Sequence, residues 1–354
     1  MSRTDGKRIG SADERRRPNG IRGAWAAVAL VVSVALVLVT AASGASAASA
    51  QARPKAPSSV VILVAGFGSS VAASTYNPLV QSSAALTDIE TAFDPDPTKE
   101  PAGCNASPNM TTALGQAGAL ILPFSYNGVT VGGTVARPKV TVTSYASNVP
   151  STTLPQVAAP RLAREVDQAH KLWPAARIVV AGHSEGGYVA EEYFRTSFNH
   201  GHDPEVTGIF SLDSPINGIR NEAEVATLLH AIKYPVSTAL LDQFQSAWNH
   251  AGANSAALLK KEGKSATYVP VGTRGDNVYR IADDPVAGLT SQVLVGKSGQ
   301  PLASKKSPNF IDPAAPPVAG LSDPAGVVAS HQCVMGNSQV IQAVVHRVRA
   351  AAKG

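Results

Sequence analysis

Several signatures of large protein classes are missing from this sequence. It contains no phosphate-binding loop, no dinucleotide fingerprint and no internal repeat, which argues against the nucleotide-binding and repeat architectures that these patterns identify. The nearest approach to a metal site is the cluster of His200, His202 and Asp203. This cluster shares a predicted turn with Pro204 and has no second cluster to join it. We therefore expect no metal and no other cofactor.

Charged residues are also scarce. They make up 16% of the 354 residues, against 44% apolar residues, a balance typical of a globular protein rather than a disordered one. The formal net charge of +5 arises mainly from residues 1–50, where seven Lys/Arg and three Asp/Glu contribute +4 and leave +1 for the remainder. The charge therefore gives no support to nucleic-acid binding.

Residues 1–50 predict a secretory signal. A basic segment that includes Arg15–Arg17 precedes an apolar run, Ala24–Ala42, and small residues such as Ala48–Ala50 follow. A basic region, an apolar region and an A-x-A site in this order are typical of a cleaved signal peptide. Because the apolar run is about long enough to span a bilayer, an uncleaved anchor helix is the alternative. We expect a secreted protein, or else one anchored to the membrane and facing outside.

A short linker at residues 51–58 precedes the predicted folded domain, residues 59–354. Short, continuous apolar runs alternate there with helical patterns, which predicts βαβ units and a mostly parallel sheet of strands buried on both faces. The predicted strands are Val60–Val64, Ala119–Leu122, Ile178–Val180, Ile209–Leu212 and Tyr268–Val271. The predicted helices are Arg161–Trp173, Tyr188–Phe194 and Gln339–Ala351, with a loop at Pro95–Thr112 and extended, turn-rich chain at Val129–Pro155.

The segment between the fourth and fifth predicted strands is too long for a plain connection. It covers about residues 219–265 and has a largely helical pattern rich in leucine and alanine. We interpret it as an inserted cap.

One motif indicates a catalytic nucleophile. Gly182–Gly186 matches G-x-S-x-G, with a predicted strand before it and a predicted helix after it. This is the context in which a serine occupies a tight strand-to-helix turn, where flanking glycines allow the two elements to approach closely. The motif therefore predicts that Ser184 is a nucleophile.

With this motif the sequence resembles the α/β-hydrolase superfamily, and within it secreted bacterial lipases and esterases. Ala65–Gly68 resembles the family's His-Gly-Phe oxyanion loop, and Ser211–Gly218 resembles the segment after the next strand. The resemblance implies an α/β-hydrolase fold, a mostly parallel sheet flanked by helices, with the cap inserted after the fourth recognised strand. In one departure, Ala65 stands where many relatives have a histidine that supports the loop.

The general base follows the nucleophile and the acid in the chain order of this fold. Only His331 and His346 come after every plausible acid. His346 falls on the polar side of the last predicted helix, whereas His331 precedes that helix in a predicted loop. We therefore predict His331 as the base.

The acid should follow the fifth predicted strand, where Asp276 lies on a glycine-rich loop that resembles the family's Gly-Asp turn. Asp213 is the first alternative, with Asp283 and Asp284 as further ones. The resemblance implies an oxyanion hole made of two backbone N–H groups, from Phe67 and Glu185.

These predictions describe a secreted serine hydrolase that cleaves small-molecule or lipid esters. An acyltransferase or thioesterase with the same triad is an alternative, and so is a non-catalytic surface module tethered by an uncleaved N-terminal helix. The loops that follow the strands of this fold gather at one edge of the sheet. Because an oxidising compartment favours disulfides, we predict one between Cys104 and Cys333.

Overall fold

The computed structural model describes residues 56–94, 104, 106–198, 205–219, 223, 226–227, 230, 236–261, 267–273, 292, 294–295, 310–312 and 331–352. The predicted signal segment lies outside the described residues, and so do Asp276, Asp283, Asp284 and the His200–Asp203 cluster. None of the described helices is long and apolar enough to cross a membrane.

The main sheet of the described chain consists of six strands that all pair in parallel. Their order across the sheet is β3-β1-β6-β7-β8-β9. Every residue of β1 is buried, as expected for a strand covered on both faces. The strands are β1 (Ser59–Val64), β3 (Ala119–Pro123), β6 (Arg177–His183), β7 (Val206–Leu212), β8 (Thr267–Thr273) and β9 (Phe310–Asp312). The predicted mostly parallel α/β fold is confirmed.

Helices pack against this sheet and against one another. They are α1 (Ala84–Phe93), α2 (Met110–Gln116), α3 (Pro155–Leu172), α4 (Glu185–Glu192) and α7 (Ser338–Ala352). Helix α4 contacts β1, β6 and β7 as well as α3, and α7 contacts the same three strands and α2. The apolar stripe of α7 is buried, while His346 is exposed.

A second sheet is antiparallel. It has the strand order β2-β5-β4, formed by β2 (Ser74–Tyr76), β4 (Val129–Thr134) and β5 (Arg137–Val142). Two of its three strands, β4 and β5, lie in the region predicted to be extended and turn-rich. This sheet was not predicted because β2 has only three residues and β4 contains Gly132 and Gly133, which weaken a strand pattern.

Within the predicted cap, the described residues include the helices α5 (Thr238–Asn249) and α6 (Ala251–Lys261). Gly218 leads from β7 towards them with φ of +75°, and a Cβ there would lie 1.9 Å from the Phe244 carbonyl oxygen. The close approach of this turn to α5 therefore requires glycine.

Helix boundaries differ from the predictions where capping decides them. The predicted loop ends earlier than expected because the Asn109 side chain accepts the Thr112 N–H at 3.1 Å and so starts α2 at Met110. Helix α3 begins at Pro155, since proline is well suited to the first turn of a helix. Helix α4 begins at Glu185, directly after the serine, and a π-helical turn at Tyr193–Ser197 continues it.

Candidate active site

Ser184 is the single residue between β6 and α4. Its backbone has φ of +57° and ψ of −129°, a conformation that costs a non-glycine residue on the order of 1–3 kcal/mol. Its N–H donates to the Leu212 carbonyl of β7 at 2.9 Å, which ties the turn to the neighbouring strand. A strained serine at a strand-to-helix turn is the geometry of a nucleophile elbow.

The turn is tight because its glycines leave no room for side chains. A Cβ on Gly182 would lie 2.3 Å from the Gly186 carbonyl oxygen, and one on Gly186 would lie 2.1 Å from the Val64 carbonyl oxygen. Helix α4 therefore rests directly on β6 and on the end of β1, as the motif predicts.

The loop after β1 lies against the same turn. A Cβ on Gly66 would be 2.7 Å from the Ser184 Cβ and 2.8 Å from the Glu185 nitrogen. Glu185 is the first residue of α4, so its N–H has no acceptor within the helix. Within the described chain neither this N–H nor that of Phe67 donates to a protein acceptor. Both predicted oxyanion donors thus belong to segments that meet at the nucleophile.

His331 lies beside the residue that precedes the nucleophile. It is 9% exposed and belongs to a helical segment, residues 331–336 of the described chain, rather than to the predicted loop. The Nε2 of His183 is 3.1 Å from the His331 carbonyl oxygen, and the two rings lie with centroids 4.7 Å apart. Burial and the neighbouring His331 lower the pKa of His183 well below its usual value. A neutral His183 therefore donates its Nε2–H to His331.

The two candidate acids follow neighbouring strands. Asp276, three residues beyond the end of β8, lies outside the described residues and stays a prediction. Asp213 directly follows β7, is fully buried, has φ of +42°, and donates its N–H to the Val271 carbonyl at 2.8 Å. Since Leu212 is paired in register with His183, Asp213 lies next to the nucleophile turn.

A buried polar contact that was not predicted lies behind the site. The hydroxyl of Tyr126 lies 2.9 Å from the Ala65 carbonyl oxygen and is hydrogen-bonded to Oε2 of Glu185. Burial, foremost, raises the pKa of the Glu185 carboxyl well above its usual value. Glu185 was predicted only for its backbone N–H, and its place in the motif was the only signal available.

The cap packs over the oxyanion loop. An apolar cluster joins Phe67 and Tyr188 to Phe244 of α5, with Ile219, Leu240 and Ala247. The Phe244 ring centroid is 6.5 Å from that of Phe67 and 5.4 Å from that of Tyr188. Apolar side chains therefore pack against the residue that carries one predicted oxyanion donor.

The structure contains the predicted disulfide between Cys104 and Cys333, which have a Cα–Cα distance of 4.6 Å. The Ala106 N–H also donates to the Gly336 carbonyl at 2.8 Å. The disulfide thus joins the segment before α2 to the helical segment that contains His331. No group of three or more His, Cys, Asp or Glu in the described part of the chain could hold a metal ion.

No family model matches the sequence, and no curated protein sequence matches it. Similar solved structures include a carboxyl esterase from Bacillus coagulans, 14% identical over 73% of this chain and 82% of that one, with a TM-score of 0.39. Phospholipase PlaB from Legionella pneumophila is 12% identical over 82% and 64%, with a TM-score of 0.37. An esterase from Rhizomucor miehei is 12% identical over 86% and 78%, with a TM-score of 0.36.

The described chain itself has the features that define its fold. A parallel sheet flanked by helices, with a strained serine turn between a central strand and the following helix, defines the α/β-hydrolase fold.

Proposed function

We propose that this protein is a serine hydrolase that cleaves carboxylic esters through an acyl-enzyme on Ser184. The observation that carries the proposal is the strained backbone of Ser184, with His331 held beside the preceding residue. A serine has no reason to occupy such a conformation for packing alone, whereas a nucleophile needs it to present its hydroxyl.

The proposed reaction has two halves. The Ser184 Oγ attacks the ester carbonyl while His331 accepts its proton, and the N–H groups of Phe67 and Glu185 stabilise the oxyanion. His331 then protonates the leaving alkoxide, which departs as an alcohol. In the second half His331 accepts a proton from water, which attacks the acyl carbonyl. His331 then returns this proton to the Ser184 Oγ as the acyl–oxygen bond breaks and the carboxylic acid leaves.

An acidic residue must orient His331 and stabilise its protonated form. We assign this role to Asp276, with Asp213 as the alternative. Asp276 follows the strand after which the family resemblance puts the acid, whereas Asp213 follows the strand next to the nucleophile.

Apolar acyl groups are the proposed substrate class. The cluster of Phe67, Tyr188 and Phe244 lies beside the predicted oxyanion loop, where the acyl chain of a bound ester would extend. Medium-chain or lipid-like esters suit these surroundings better than short, polar ones.

Export is part of the proposal. Residues 1–50 carry the pattern of a secretory signal, and a disulfide is the chemistry of an oxidising compartment. The location and mass of the mature protein test this. A cleaved protein would be found in the culture medium without the apolar run, whereas an anchored protein would stay with the cells and retain it.

A panel of chromogenic esters of increasing acyl length tests the function, using the mature protein and Ser184→Ala. We expect turnover that rises from acetyl towards medium-chain esters, and none with the variant. A fluorophosphonate probe should label the wild type at Ser184 and leave the variant unlabelled. Labelling without ester turnover would favour an acyltransferase or thioesterase, and no labelling would favour a non-catalytic module.

A further inference from the structure

One phenol connects the two segments that supply the oxyanion donors. Tyr126 lies in the loop after β3, and its hydroxyl contacts both the Ala65 carbonyl, at 2.9 Å, and the Glu185 carboxyl. Ala65 immediately precedes Gly66 and Phe67, while Glu185 immediately follows Ser184. The contact therefore joins the oxyanion loop to the first turn of α4.

Counting hydrogens determines the direction of these bonds. A tyrosine hydroxyl has one hydrogen to donate, and a backbone carbonyl can only accept. If Tyr126 donates to Ala65, it must accept its second bond from Glu185, so the glutamic acid must carry a proton. If Glu185 were ionised, it would need the phenolic hydrogen for itself, and the Ala65 carbonyl would lose its donor.

The surroundings of Glu185 favour the protonated acid. Its side chain is 1% exposed, and its Oε1 has no hydrogen-bond partner among the described residues. An ionised carboxylate in this position would be buried with only one neutral donor, which is costly. Burial also raises the pKa of Tyr126, and the nearby Glu185 and Tyr145 raise it further, so the phenol stays neutral as well.

The other charged and titratable groups around this chain of bonds act on the tyrosines. Arg161 of α3 donates to the Tyr126 backbone carbonyl. The Tyr145 ring packs edge-on against Tyr126, with centroids 5.3 Å apart, and its hydroxyl is 3.0 Å from Ser69 Oγ. Asp88 of α1 raises the pKa of Tyr145. No described cationic side chain acts on the Glu185 carboxyl.

We propose that Glu185 acts as a neutral acid that positions the oxyanion loop, by donating to Tyr126 so that Tyr126 can hold the Ala65 carbonyl. This role rests on the proposed function, in which Glu185 contributes its backbone N–H. Ala65 stands where the family resemblance implies a histidine that supports the loop. Tyr126 and Glu185 supply that support from behind the loop.

Three variants test the proposal by steady-state kinetics. Glu185→Gln keeps a donor for Tyr126 and should retain kcat within about threefold. Glu185→Met has similar size but no donor, and should lower kcat about 10–100-fold with KM little changed, somewhat less than the loss of a whole oxyanion donor. Tyr126→Phe removes only the hydroxyl and should behave like Glu185→Met. The control is Tyr76→Phe, a buried tyrosine of the antiparallel sheet, which should leave kcat unchanged.

The pH profile separates positioning from a merely structural role. Wild-type kcat should fall at alkaline pH as Glu185 ionises, whereas Glu185→Gln should keep its kcat there. Equal losses in Glu185→Gln and Glu185→Met would overturn the proposal, as would an unchanged kcat in Tyr126→Phe. If Ser184→Ala kept wild-type turnover, the proposed function itself would fail, and this outcome does not depend on the Glu185 variants.

Discussion

His183 donates a hydrogen bond from its Nε2 to the backbone carbonyl of His331, at a distance of 3.1 Å. The two residues are separated by 148 positions, so this bond connects the strand before the nucleophile to a segment that follows the last described strand in the sequence. It holds the backbone of the proposed base against the strand that precedes the nucleophile.

Replacing His183 should therefore impair catalysis through His331. His183→Phe keeps a ring against His331 but removes the donor, and a hydrogen bond of this kind contributes about 1–1.5 kcal/mol. We expect kcat to fall about tenfold with little change in KM, measured on the best ester of the panel. The exposed His346→Ala is the control and should match the wild type; a larger loss there than in His183→Phe would contradict the assignment of His331.

The two candidate acids can be separated by asparagine substitutions. Asp276→Asn should lower kcat on the order of 10⁴-fold, because a histidine without its acid is held in the wrong tautomer. Asp213→Asn should lower it far less. Asparagine tolerates positive φ, so the second variant keeps the backbone of the turn after β7. If Asp213→Asn were the inactive variant, the acid would lie after β7 instead.

Reduction of the disulfide should destabilise the protein. Cys104→Ser combined with Cys333→Ser should lower the free energy of unfolding by about 2–5 kcal/mol, as is typical when a native disulfide is lost. Denaturant titration of both proteins, with and without reductant, measures the difference. Reductant should lower the stability of the wild type and leave the double variant unaffected; equal responses would show that the disulfide contributes nothing.

Glu165 of α3 should make stability depend on pH. It is fully buried, neither carboxylate oxygen has a hydrogen-bond partner among the described residues, and burial raises its pKa well above the usual value. The folded state therefore keeps a proton that the unfolded state releases near pH 4.3. The contribution of Glu165 to stability is complete below that pH, and it is lost as the pH rises towards the pKa in the folded state.

Glu165→Gln removes this loss because an amide does not ionise. Above about pH 4.3 the free energy of unfolding of the variant should increase relative to that of the wild type. The difference should grow by up to about 1.4 kcal/mol per pH unit until the pKa of Glu165 in the folded state is reached. Chemical denaturation at several pH values measures the gain. Asp242→Asn, at an exposed position of α5, serves as the control. Its free energy of unfolding should follow that of the wild type at every pH. If Glu165→Gln also followed the wild type at every pH, Glu165 would be ionised in the folded protein.

The main sheet could be predicted from the sequence because its strands are continuous apolar runs, and β1 and β6 are almost entirely buried. The turn at Ser184 could be predicted because glycines at this spacing are needed where a strand and the following helix approach each other closely. The disulfide required only that the fold bring two loops to the same edge of the sheet.

The polar contacts behind the site could not be predicted in this way. Glu165 and Glu185 are charged residue types that the sequence pattern assigns to the surface, and their burial depends on tertiary neighbours. Tyr126 follows a strand that was predicted, but its partners Ala65 and Glu185 come from two other parts of the chain. A local pattern contains no information about such partners, and only the packed fold brings them together.

The order of the strands has a consequence for how activity appears during folding. The proposed nucleophile belongs to a central strand, whereas the proposed base lies beyond β9 at one edge of the sheet, and the disulfide spans 229 residues. Contacts between such distant positions form late, since a long loop must close before they contribute. The rate at which ester turnover recovers after dilution from denaturant therefore measures when the whole fold is complete, rather than when any single element forms.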